Sequence, residues 1–216
     1  MSNQTHQLLS DLVRPQTIDE LALVEQDIQR LKQMLCRGSI MNMLAHGQSG
    51  TGKTTACKII LKTIAPANGV EFAGSSAWNA DTMAQLDMYA STQALVGGRK
   101  ACLIDEVDLL PKSMQNALRP IIDRTSPTTP FLFTANDIKK VVPAIQSRAL
   151  PLCFDVAAAD RTDVKERLQT RYMRIMNTAN ILCDIERLER IIDDHFPDLR
   201  TIANCLQWEC GSAAAA

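Results

Sequence analysis

HGQSGTGKTT, residues 46–55, matches the phosphate-loop pattern G-x-x-x-x-G-K-[ST] at every fixed position, with Gly47, Gly52, Lys53 and Thr54. The pattern has a physical logic. Its glycines let consecutive backbone N–H groups turn toward phosphate oxygens, and the N-terminus of the helix that follows adds positive potential. Lys53 is placed to reach β- and γ-phosphates, and the Thr54 hydroxyl to ligate Mg²⁺. The stretch predicts a nucleoside triphosphate cradle built from Gly47, Gln48, Ser49, Gly50, Thr51, Gly52, Lys53, Thr54 and Thr55. A chance glycine turn would lack the right neighbours. Here SIMNMLAH (39–46) is a short apolar run of the buried-strand kind, and KTTACKIILKTI (53–64) has helix-like apolar spacing.

Working outward, ACLIDEVDLL (101–110) is an apolar strand ending in Asp105 and Glu106. Two carboxylates at the carboxyl end of a parallel strand lie beside a phosphate loop. Asp105 can hold Mg²⁺ through its water shell, and Glu106 can polarise an attacking water as general base. Successive strand side chains point oppositely, so the two diverge unless the strand ends between them. Asp108 reads as solvated or as a helix cap. FLFTAN (131–136) ends in Asn136, whose amide could orient the lytic water or simply occupy a turn. Arg148 precedes the run ALPLCF (149–154). It is either a solvated surface group or a cation offered to a neighbouring subunit's γ-phosphate. Arg200 falls in the first turn of the last predicted helix, where a cation opposes the helix dipole. Reaching back to a phosphate accounts for it better.

Between these motifs the chain alternates strand and helix. Helices are predicted over 18–36, 53–64, 81–95 and 113–124, and strands over 39–46, 69–73, 101–105, 131–136 and 149–154. Apolar strands alternating with helices argue for an α/β fold, a parallel sheet covered on both faces. From about Asp160 only helical patterns remain, with Asp160 and Asp184 at N-cap positions and Pro197 in a first helical turn. The expected organisation is a nucleotide-binding α/β domain over 1–155, a small three-helix lid over 156–210, and a tail or cloning scar, GSAAAA, over 211–216.

Bulk numbers fit this picture. Of 216 residues 46% are hydrophobic and 22% charged, ordinary for a globular chain with a core. The balance of 23 Lys and Arg against 24 Asp and Glu excludes a polycation, so any nucleic-acid surface must be local. Seven cysteines without C-x-x-C pairs read as buried, reduced thiols of a cytoplasmic protein rather than a zinc site. No apolar run approaches a membrane span, and the polar N-terminus does not resemble a signal peptide.

Five motifs in this order resemble the AAA+ ATPases, and within them the small subunits of sliding-clamp loaders of the replication factor C and bacteriophage type. The likeness runs from LVRPQTIDEL (12–21) to FPDLRTIANCLQ (196–207). VRPQTIDELALVEQ (13–26) is similar to the family's N-terminal segment, which implies that Arg14 and Pro15 lie along the adenine of ATP. LIDEVDLLPKSMQNALRPIID (103–123) resembles the Walker B strand and its following helix, with Gln115 and the Leu118–Arg119 pair. TANDIKKVVPAIQSRA (134–149) resembles the sensor 1 strand, with Asn136, and the Ser-Arg-Cys motif, with Arg148 as a finger acting in trans. PDLRTIANCLQ (197–207) is similar to the lid helix bearing the sensor 2 arginine, here Arg200. Ala149 stands where the family has Cys, and Pro197–Asp198 where Gly-Asp is usual.

The resemblance implies ATP and Mg²⁺ as cofactors. It implies as partners other loader subunits in a ring, a sliding clamp and primer–template DNA, with no membrane. Backbone contacts to DNA would come from Lys112 and Arg119. Family members continue into a helical collar, whereas this chain ends after the lid. Two other readings remain: a different AAA+ DNA machine, such as a helicase loader or branch-migration motor, and a collar-less interaction protein that binds nucleotide but barely hydrolyses it.

Overall fold

The structure, a computed structural model, describes residues 8–36, 41–75, 78–94 and 97–210. Expectations for residues 39–40, for residue 95 and for the tail 211–216 lie outside the described residues. In chain order the elements begin with α1 (Leu9–Leu12) and α2 (Glu25–Cys36), then β1 (Met43–His46), α3 (Lys53–Ile64), β2 (Gly69–Ala73) and α4 (Ala80–Ser91). The middle of the chain forms β3 (Ala101–Asp105), α5 (Lys112–Thr125), β4 (Phe131–Ala135), α6 (Pro143–Gln146) and β5 (Leu150–Cys153). Three helices follow: α7 (Arg161–Thr178), α8 (Ile185–His195) and α9 (Leu199–Cys210).

The five strands form one parallel sheet in the order β2-β3-β4-β1-β5. Alternation along the central strands divides the core into two layers. Met43, Ala45, Leu103 and Leu132 face α2 and α3, where they meet Ile28, Leu31, Cys57 and Ile60. Leu44, Cys102, Ile104, Phe131 and Phe133 face α4, α5 and α6, where they meet Leu86, Leu118, Ile122 and Ile145. Apolar side chains on both faces are what a central parallel strand requires. A third cluster joins Leu168 and Tyr172 of α7, Leu188 and Ile192 of α8, and Ile202 and Leu206 of α9. Leu9 and Val13 also belong to it, so α1 packs on the helices at the far end of the sequence.

Several boundaries depart from the sequence reading. The helix predicted from residue 18 begins at Glu25, after a one-turn 3-10 helix at Ile18–Glu20. Leu21 and Leu23 are both buried, a spacing of two that one helix face cannot accommodate. Asp160 precedes α7 but makes no side-chain cap, whereas the Asp184 carboxylate accepts from the Glu186 N–H. Pro197 lies outside α9, and Asp198 caps that helix instead. Three cysteines are buried (Cys57, Cys102 and Cys210), Cys36 and Cys153 are exposed, and all seven are free thiols. Among the described residues no His, Cys, Asp and Glu cluster suits a metal, and no helix is long and apolar enough to cross a membrane.

Gln115 of α5 shows how the loops behind the sheet are fixed. It is 1% exposed. Its Nε2 donates to the carbonyls of Leu110 (3.0 Å) and Lys140 (3.2 Å), and its Oε1 accepts from the Val142 N–H (2.8 Å). One side chain thus satisfies backbone groups following both β3 and β4. Gln115→Leu should leave these groups unpaired and cost about 3 kcal/mol in urea unfolding, with the slope against denaturant unchanged.

Candidate nucleotide site

The sheet order places β3, β4 and β1 side by side, so their carboxyl ends meet. Ligand crevices form at such a point, where successive connections leave in opposite directions. From β1 comes the glycine loop. Gly47, Gly50 and Gly52 hold φ values of +135°, +82° and +95°, a region that L side chains rarely adopt. A Cβ on Gly50 would also lie 2.0 Å from Asp198 Oδ1, so space as well as backbone demands glycine.

Lys53, the first residue of α3, is buried. Its Nζ donates to the carbonyls of Gly47 (2.8 Å) and Gln48 (2.6 Å), which draws the loop around the ammonium. Burial lowers its pKa, opposed by the carboxylates of Asp155, Asp108 and Asp105. His46 is likewise lowered by burial, against the pull of Asp155 and with Lys53 adding to the shift.

From β3 come the acids. Asp105 Oδ1 accepts from the hydroxyls of Thr54 (2.7 Å) and Thr134 (2.5 Å), and Thr134 Oγ1 accepts from the Glu106 N–H (2.8 Å). The strand ends at Asp105. Glu106 has φ +56°, a conformation that costs a non-glycine residue on the order of 1 kcal/mol. The strand does end between the two carboxylates, yet the left-handed turn still sets them apart, with Glu106 in the cleft wall and Asp105 behind Thr54.

From β4 comes Asn136. Its backbone N–H and that of Asp137 both donate to Asp108 Oδ2 at 3.1 Å. Asp108 is therefore neither solvated nor a helix cap: it is 8% exposed and fixes the turn that presents Asn136.

Most of these parts line one cleft of about 350 Å³, with Asp105 and Asp108 behind its lining. Residues 49–55, Glu106, Thr134, Asn136 and Arg200 form its polar end. Val13, Arg14, Pro15, Leu21 and Tyr172 form a more apolar end. Gly47 and Gln48 do not line it; they hold Lys53, and the Gln48 N–H donates to Asp155 Oδ1 at 2.7 Å. Arg148 sits elsewhere, at the amino end of β5. There Nη2 donates to Asp123 Oδ2 (3.0 Å) and Nη1 to the Ala144 carbonyl (2.9 Å).

Sequence reasoning missed four side chains. Thr134 was the one polar residue in an apolar strand, which was its signal. Asp155, Asp198 and Arg171 come together only through tertiary packing. Asp198 Oδ1 accepts from the N–H groups of Arg200 and Thr201, both at 3.1 Å, and the Leu199 N–H donates to the Gly50 carbonyl at 3.0 Å. Burial would raise the Asp198 carboxyl, yet the hydrogen bonds from Thr201 and Arg200 hold it below the usual carboxylate range.

The arrangement fits a triphosphate with a divalent cation. Backbone N–H groups, an ammonium and Arg200 gather at one end, and a hydroxyl and carboxylate 2.7 Å apart are oxygen donors of the kind Mg²⁺ takes.

The profile of the ATPase family associated with various cellular activities (AAA) matches residues 43–152, about half of the chain. Replication factor C subunit 3 of Blastobotrys adeninivorans is 31% identical over 200 residues, covering 90% of this chain and 57% of its own. The replication factor C small subunit of Staphylothermus marinus is 31% identical, with 93% and 61% covered. The sliding-clamp-loader large subunit of Enterobacteria phage T4 is 28% identical, with 92% and 63% covered. This chain thus spans less than two thirds of the length of these curated relatives. The Thermotoga maritima RuvB Holliday junction branch migration motor superposes with a TM-score of 0.66 at 20% identity, over 91% of this chain and 64% of that one. At that identity the likeness is one of fold.

Gly50→Ala and Gly97→Ala form a matched pair, because Gly97 has φ +72° with nothing within 4 Å of an added Cβ. Gly97→Ala should cost about 1 kcal/mol of unfolding free energy, the left-handed strain alone. Gly50→Ala should cost clearly more, measured in the same urea titration.

Proposed function

The chain belongs to the ATPase family associated with various cellular activities, and on that premise we propose that it is an ATP-hydrolysing subunit of a DNA sliding-clamp loader. The observation that carries the reading is the meeting of Lys53, Thr54, Asp105, Glu106 and Asn136 at three adjacent strand ends. The names of the relatives, replication factor C and sliding-clamp-loader subunits, supply the biological setting.

In this reading the α/β domain over 1–155 and the helical lid over 156–210 hold ATP between them. The N–H groups of the loop and the Lys53 ammonium take the β- and γ-phosphates, the ammonium exchanging the carbonyls of Gly47 and Gln48 for phosphate oxygens. Arg14 and Pro15 lie toward the adenine. Thr54 and Asp105 would hold Mg²⁺, which supplies charge neutralisation at the phosphate oxygens. Glu106 takes a proton from the attacking water, and the Asn136 amide orients that water. Arg200 reaches the γ-phosphate from α9, tying the lid to the state of the nucleotide.

Arg148 completes a neighbour's site. Its bidentate pair with Asp123 holds the guanidinium at the amino end of the strands, far from its own phosphate loop. Burying that end against another subunit would free it for the neighbour's phosphate. An isolated chain accordingly turns over slowly. The partners are other loader subunits, the clamp and primer–template DNA, the last gripped through phosphates by Lys112 and Arg119 on α5. The setting is cytoplasmic.

Two measurements on the assembled ring test this. Glu106→Gln should retain ATP binding and lower the hydrolysis rate by about 10²- to 10⁴-fold; undiminished turnover removes Glu106 from the mechanism. Arg148→Ala subunits mixed with Lys53→Ala subunits should regain hydrolysis at the junctions that pair an intact finger with an intact phosphate loop. If Arg148→Ala abolishes hydrolysis in a demonstrated monomer, the trans assignment is wrong.

A further inference from the structure

The apolar end of the cleft is closed by α7, and a buried cation there is short of partners. The Arg171 side chain is 9% exposed. A guanidinium carries five N–H donors, and a buried one is destabilising unless acceptors meet them. Nη1 donates to the Val13 carbonyl at 2.8 Å. Nη2 reaches Glu20 Oε2 only at 3.5 Å, and Nε–H is buried without a partner. Burial pushes the pKa of the group down, with Glu20 opposing.

Arg167, one turn earlier, makes a useful contrast. It holds the Leu23 carbonyl, Glu25 and Asp163, and it lies outside the cleft. Together the two arginines clamp residues 13–25 against α7, but Arg171 also lines the cleft, beside Tyr172, Leu168 and Asn204. The other cation at this end, Arg14, is 63% exposed on its side chain and keeps its charge in water. Val13, Pro15, Leu21 and Tyr172 offer apolar surface suited to the faces of a planar base. What such a base or its ribose brings with it is hydrogen-bond acceptors, which the buried Nε–H of Arg171 lacks.

We propose that Arg171 recognises the nucleoside of the bound triphosphate, donating a hydrogen bond to an acceptor on its purine ring or ribose. This rests on the cleft being a nucleotide site. Val13 and Glu20 hold the guanidinium in place beforehand, so little side-chain entropy is lost when the acceptor arrives. Arg171 also borders a second groove, with Thr17, Asp19 and Arg174, through which water could serve the same donor. Affinity separates the two roles.

The test is calorimetric titration of the whole chain with ATP, dATP and inorganic tripolyphosphate, each with Mg²⁺, for wild type, Arg171→Lys and Arg171→Met. Both variants should bind ATP about 10- to 100-fold more weakly, the loss expected for a hydrogen bond to a charged donor. Tripolyphosphate affinity should stay within about twofold. The acceptor is then assigned by dATP and by ATP analogues with single ring nitrogens replaced by carbon. The analogue weakened in wild type but not in Arg171→Met carries it. Parallel loss of ATP and tripolyphosphate, unchanged ATP affinity in both variants, or failure of both to fold would each overturn the proposal. A wild type that binds tripolyphosphate as tightly as ATP would overturn it while leaving the phosphate site standing. A wild type that binds neither would overturn the nucleotide reading itself.

Discussion

One carboxylate oxygen holds the site together. Asp105 Oδ1 accepts the hydroxyls of Thr54, at the start of α3, and of Thr134, near the end of β4, while Thr134 takes the N–H of Glu106. Three segments far apart in sequence are thereby fixed to one point at the tips of three neighbouring strands. A charge-assisted hydrogen bond is roughly twice as strong as a neutral one, and here two of them converge in a half-buried setting where water competes poorly. The left-handed turn at Glu106 is sustained by this arrangement. The backbone conformation that would be unfavourable alone is held by the bond from its N–H to Thr134.

Carboxylates near the loop extend the same theme. Asp155 holds the Gln48 N–H, Asp108 holds the turn at Asn136, and Asp198 starts the helix bearing Arg200. Each accepts at least one backbone N–H, and Asp155 and Asp108 also lie close enough to Lys53 to support its charge against burial. Positive groups lining the cleft are thus balanced inside the protein by acids engaged with backbone. The near-neutral net charge of the chain, −1 by formal count, is consistent with this local pairing.

Much of the fold was legible in the sequence because its signals are local. The glycine loop, the apolar runs at 101–105 and 131–135 and the amphipathic helices each carry their own period, and the motif order set the parallel α/β class. Residues whose role depends on backbone exits were legible too: Asp105, Glu106 and Asn136 sit at strand ends. What escaped was everything that depends on pairing across the sheet or between distant segments. Asp108 looked like a surface acid, because nothing in DEVDLL reveals the two N–H groups awaiting it beyond β4. The start of α2 was misplaced because Ile18 and Leu21 keep helical spacing while Leu23 breaks it. Arg171 gave no signal, since one arginine in an amphipathic helix reads as solvated until α1 and its trailing segment fold over it.

The seam between Leu199 and Gly50 has a mechanical meaning. The N–H of the one donates to the carbonyl of the other, and the carboxylate of Asp198 fills the space where a side chain on Gly50 would stand. The contact between α9 and the glycine turn is direct. Swinging that helix outward must therefore deform the turn or tear the seam, so this twelve-residue segment sits like a handle soldered to the rim of the cleft.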